Sequence, residues 1–166
     1  CLRILRTVNA AGFASARRVD SVRQAILLLG SDTLRRWASL WVLAGLSHGA
    51  HPEVVVMSAV RARCCELLAG NTGGASDAFL LGLLSLIDVV SGRPLDLIVA
   101  ELPVSASIRD ALLGQDTPGR RLLDCALACE RGDWRACVSA SDRAGLPAAR
   151  LAQAHAAALH WAASFD

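Results

Sequence analysis

The sequence predicts an all-α protein, a compact bundle of about nine or ten helices. Three observations carry that expectation. Of the 166 residues, 54% are hydrophobic and only 4% aromatic, with no Tyr. Ala and Leu, both good helix formers, dominate the apolar set. No stretch alternates apolar and polar residues with the period of two that marks a half-buried strand. The third observation is Ala78 to Val90, apolar except at Gly82, Ser85 and Asp88. Those three recur at i, i+3 and i+6 and would share one face of a helix. A helix apolar on every other side is normally enclosed by its neighbours. This stretch is therefore expected to be the central helix, with a weakly polar stripe as its one distinctive face. It falls short of the roughly 20 apolar residues needed to cross a bilayer.

The remaining elements follow in order. Leu2, Leu5 and Val8 form an apolar stripe opposite Arg3 and Arg6, the tail of a helix. Ala10 to Asp20 is irregular. Ser21-Val22-Arg23-Gln24 is a capping box, in which Ser and Gln satisfy backbone amides reciprocally, and Gly30 ends the helix it opens. Ser31 or Asp32 caps a helix through Trp37 and Trp41 to about Gly45. His48 to His51 is a loop. Pro52 opens a helix ending at Gly70, and Asn71 to Ser76 is a Gly-rich turn. Asp77 is expected to cap the central helix and Gly92 to end it. Pro94 opens a short helix stopped at Leu102-Pro103, and Ser105 caps another, stopped by Gly114. Pro118 opens a helix to Arg131-Gly132. Asp133 caps a helix from Trp134 to about Arg143, with the Trp134 indole packed on the bundle. After Gly145-Leu146-Pro147, a last helix is apolar at Leu151, Ala154, Ala158 and Trp161.

Composition bounds the function. The length suits one domain, residues 1–166. The net charge of +2 is too small to imply nucleic acid by itself. All seventeen Lys and Arg positions are Arg, a residue suited to carboxylate and phosphate recognition. Six Cys sit mostly in apolar, helical surroundings, unlike a secreted disulfide scaffold. A reducing, cytoplasmic compartment is expected. With Cys1 first and a helix already under way, the chain is expected to be an N-terminally truncated piece of a longer soluble protein.

Several segments in this order resemble HDOD domains, helical relatives of the HD-type metal-dependent phosphohydrolases. Leu2 to Phe13 is similar to their LLRxxNSAxFG segment, and Val22 to Gly30 to IRxAIxLLG, continued at Leu34 to Trp37. Ala78 to Asp88 resembles the AFLxGLxSLxD helix of one branch. Arg93-Pro94-Leu95, Glu101-Leu102-Pro103 and the ERGDW signature at Glu130 to Trp134 follow in place. The resemblance implies a bundle with a signalling or scaffolding role. In that branch an EAL-type cyclic-di-GMP phosphodiesterase domain precedes the HDOD domain, so the implied partner is that upstream domain or another signalling protein.

In HD hydrolases an adjacent His-Asp pair on the central helix binds metal. Aligned on Gly82-Leu83-Leu84, the pair falls at Ser85 and Leu86. Leucine cannot ligate a metal and serine does so poorly. The earlier family His would lie around Ala62 to Cys65, where none occurs. Asp88 alone is not a metal site, so no catalytic, cofactor or metal residue is expected. Gly82, Ser85 and Asp88 form a degenerate stripe whose polar groups bond neighbouring helices. Cys125 and Cys129 share a face, with Cys137, His155 and His160 as further conceivable zinc ligands. Their spacing fits no zinc pattern, and buried Cys acting as a small hydrophobe is the simpler reading. Arg17, Arg18, Arg35 and Arg36, with Arg23, form a basic cluster that could meet phosphate or an acidic protein surface, solvated helix faces being the simpler reading. A degenerate phosphohydrolase and an Arg-cluster nucleic-acid binder are the alternatives. The missing His-Asp pair disfavours the first, and few aromatics with little net charge disfavour the second.

Overall fold

The computed structural model describes residues 52–70 and 74–163. Everything expected before Pro52, including the capping box, Trp37, Trp41 and the cluster of Arg17, Arg18, Arg23, Arg35 and Arg36, lies outside the described residues. Those residues form eight helices and no strand. They are α1 (Pro52–Ala69), α2 (Ala75–Leu84), α3 (Ile87–Ser91), α4 (Leu95–Glu101), α5 (Ala106–Leu112), α6 (Pro118–Glu130), α7 (Trp134–Ala144) and α8 (Ala148–Ala162). The all-α expectation holds.

Helix α1 packs on α2, α3, α6 and α8, and this explains its composition. Ser58, Ala59, Val60, Ala62, Cys64, Cys65 and Leu68 are all buried. Small residues dominate the run, which lets several helices approach one axis. Gly82 on α2 shows how close that approach is. A Cβ there would lie 2.6 Å from the Arg61 carbonyl oxygen and 2.7 Å from the Ala62 backbone. Only glycine permits this contact. On the far side α8 buries Leu151, Ala154, Ala158 and Ala162, a stripe at helical spacing. Half-buried Trp161 meets Phe79 edge to face at 6.3 Å, and the Arg63 guanidinium lies 5.8 Å from its ring centre.

The expected central helix is two helices. Helix α2 stops at Leu84 and α3 restarts at Ile87. Ser85 is the cause. Its backbone N–H bonds the Gly82 carbonyl at 3.3 Å, and its hydroxyl donates to the same oxygen at 2.7 Å. A side chain competing for a helical carbonyl in this way tightens and diverts the turn. Gly92 at φ 65° then ends α3, as expected. Asp77 is not the cap of α2. Gly74 holds that position with no side-chain bond, and Asp77 sits in the first turn, where a carboxylate favours the helix dipole.

The later boundaries follow their capping residues. The Ser105, Thr117 and Asp133 side chains accept from Ile108, Arg120 and Ala136 amides at the starts of α5, α6 and α7. Gly132 and Gly145, both in the left-handed region, supply the reversals around α7. Trp134 corrects the sequence reading. It opens α7 and is 65% exposed rather than packed on the bundle. As the first residue after the cap, it projects from the helix end, and the buried face of α7 is supplied by Cys137, Ala140 and Ser141.

Candidate functional site

The stripe expected to face a neighbour is met by a side chain from α1. Arg61, only 9% exposed, reaches across the Gly82 contact. Its Nη1 donates to the Ser85 hydroxyl at 3.2 Å. Its Nε and Nη2 donate to the two carboxylate oxygens of Glu130 at 2.6 and 2.8 Å. The planar fork matches the carboxylate bidentately, the strongest geometry for such a pair. One guanidinium thus joins the middle of α1, the break after α2 and the last turn of α6. Asp88, half-buried in the first turn of α3, makes no hydrogen bond with Arg61 or Ser85 among the described residues. The stripe therefore divides: Gly82 permits close packing, Ser85 is bonded into a polar node, and Asp88 stands apart.

Arg61 and Glu130 were not singled out as a pair from sequence. The available signals were an Arg amid a buried run of α1 and the acidic first position of the ERGDW signature. Their pairing across 69 positions leaves no mark on local periodicity.

Beside the node lie five thiols. Cys64, Cys65, Cys125 and Cys137 are buried, and Cys129 is partly so. The Cys137 thiol donates to Cys129 sulfur at 3.8 Å. Burial, with help from neighbouring Cys129, Cys125 and Glu130, pushes Cys64 up to about 12. Burial and the Cys137 hydrogen bond bring Cys129 to about 12 as well. Burial and Asp124 raise Cys125 to about 11, and burial raises Cys65 well above its ordinary value. Cys64, Cys65, Cys125 and Cys129 therefore stay protonated at neutral pH, which makes them weak nucleophiles and weak ligands. Among the described residues no three His, Cys, Asp or Glu side chains converge to hold a metal ion.

A separate cleft of about 420 Å³ opens where α1 ends and α2, α5 and α6 begin. Leu68, Ala78, Leu81, Ile108 and Leu122 make it largely apolar, with Asp77, Ser107 and Arg121 as polar lining. Arg121 is held by Asp116 through two 2.8 Å bonds. No described helix is long and apolar enough to cross a membrane.

A helical bundle riveted by an internal ion pair at its polar stripe is the class that fold and site define. Residues 1–90 match the HDOD domain, and the chain belongs to that family. It is 33% identical over 140 residues to YuxH, an uncharacterized protein of Bacillus subtilis, a match covering 81% of this chain and 34% of YuxH. It is 32% identical over 136 residues to CdgJ, a cyclic di-GMP phosphodiesterase of Vibrio cholerae, covering 80% of this chain and 32% of CdgJ. The chain spans about a third of the length of these curated relatives. No solved structure matches it.

Proposed function

We propose that this domain is a non-catalytic regulatory and interaction module of bacterial cyclic di-GMP signalling, acting on an attached EAL-type phosphodiesterase domain. The observation that carries the non-catalytic part is the occupancy of the stripe by Arg61. HD-type chemistry needs a metal ion held by several ligands. Here the position next to Ser85 is taken by a permanently charged guanidinium, which would repel a metal cation. The one carboxylate of the node, Glu130, spends both oxygens on that same guanidinium. The pathway is supported by the likeness to CdgJ, and the attachment by the greater length of both relatives. A cytoplasmic location follows from that pathway. The bundle supplies a rigid body that can bear on a neighbouring domain, which requires no chemistry of its own.

The test is the full-length polypeptide encoded by the coding region. An EAL-type domain ahead of Cys1 is expected. Cyclic di-GMP hydrolysis by that polypeptide should change when residues 1–166 are removed. An unchanged rate would argue against a regulatory role, and a different upstream domain would argue against the pathway.

A further inference from the structure

In the turn from Glu130 to Trp134, three side-chain or backbone positions serve the fold, and the side chains of Arg131 and Trp134 do not. Glu130 holds Arg61, Gly132 takes φ 65°, and the Asp133 side chain accepts from the Ala136 amide at 3.0 Å. Trp134 is left 65% exposed, and Val138, one helical turn on, is 40% exposed. Residues at i and i+4 share a helix face. Arg131 within this turn and Arg135 just after it, both exposed, make no ion pair or side-chain hydrogen bond with the described residues. By contrast, Arg61, Arg63, Arg93, Arg120, Arg121 and Arg143 each hold a carboxylate.

We infer that the Trp134 and Val138 face of α7, with Arg131 and Arg135 beside it, docks an acidic segment of a partner protein. The segment would offer an apolar side chain to the indole and carboxylates to the two free guanidinium groups. This deepens the reading of the domain as an interaction module and rests on it. Trp and Arg are the residue types that most often dominate the energy of an interface. An indole brings a large apolar area at little cost in side-chain freedom, and the guanidinium fork fits carboxylates in pairs. A nucleotide is the poorer occupant. Such ligands seek a concave seat, and none of these four residues lines the cleft at the start of α2.

Titration of the 166-residue chain with three probes tests this, read by Trp fluorescence and calorimetry. The probes are a short peptide of Glu and Leu, its Gln and Leu counterpart, and cyclic di-GMP. The Glu peptide should bind at least about tenfold more tightly than the Gln peptide at low salt, and lose that advantage as salt rises. Trp134→Ala should abolish binding while leaving the melting curve in place, and Arg131→Gln with Arg135→Gln should weaken it about tenfold. Failure of the Glu peptide to bind, equal binding of both peptides, or binding unaffected by Trp134→Ala would overturn the inference. Quenching of Trp134 by cyclic di-GMP would replace it with a nucleotide site. If peptide binding behaves as expected while the full-length polypeptide shows no regulation, the surface stands and the regulatory role falls. The converse pair of results rejects the surface alone.

Discussion

Two motifs, linked through the Arg61 side chain, present their polar and apolar groups in opposite ways. Around Gly82 and Ser85, the Arg61, Ser85 and Glu130 side chains bond one another, and the helices touch backbone to backbone. Around Trp134, a large apolar ring and two unpaired guanidinium groups face outward. Glu130 joins the two regions, since it begins the turn that Trp134 ends and closes the node with Arg61. The difference teaches that a single short signature can be split by function. Its first residue bonds Arg61 within the bundle and its last faces outward.

Substitutions should sort by that split. Glu130→Ala is expected to have the largest effect, because it strands Arg61 as a buried cation. Removing one partner of a buried pair costs about 3–5 kcal/mol. The Glu130 side chain is 25% exposed and that of Arg61 11%, so the lower end, about 3 kcal/mol, is expected. Urea melts would read it, and a loss below about 1 kcal/mol would place Glu130 with the surface group. Gly82→Ala should follow at about 2 kcal/mol, the usual cost of overpacking. The clashing atoms belong to the α1 backbone, which cannot rotate aside. A melt unchanged by this methyl group would mean that α1 and α2 are farther apart than described.

Smaller effects are expected across the turn. Asp133→Ala removes the cap of α7 and should cost about 1 kcal/mol. Trp134→Ala should change stability by less than about 0.5 kcal/mol, as exposed substitutions usually do. Reversal of these last two magnitudes in thermal melts would show that the indole packs on the bundle after all.

Much of the fold was legible in the sequence. Ser105, Pro118, Gly132, Asp133 and Gly145 mark boundaries by local chemistry, and α5 to α8 fall where those residues put them. The failures share a cause. The break between α2 and α3 comes from the Ser85 hydroxyl bonding the Gly82 carbonyl, an orientation that residue type alone does not fix. The expectation that Trp134 packs on the bundle rests on residue type, since Trp is highly buried on average. Its place at the very start of α7 turns it outward, and that depends on helix phase rather than residue type. The site was legible as a stripe and as a missing His-Asp pair. What fills the stripe was not, because Arg61 and Glu130 meet only in the folded chain.

Metal-dependent hydrolysis by the purified chain is the most direct test of the claim that this stripe is structural. With manganese or magnesium added, cyclic di-GMP and nucleotide phosphates should be turned over no faster than without protein. Turnover that requires the metal and disappears in Asp88→Ala, with the melting curve intact, would contradict it. In that event the stripe would be a working site, with Arg61 acting on substrate rather than riveting helices.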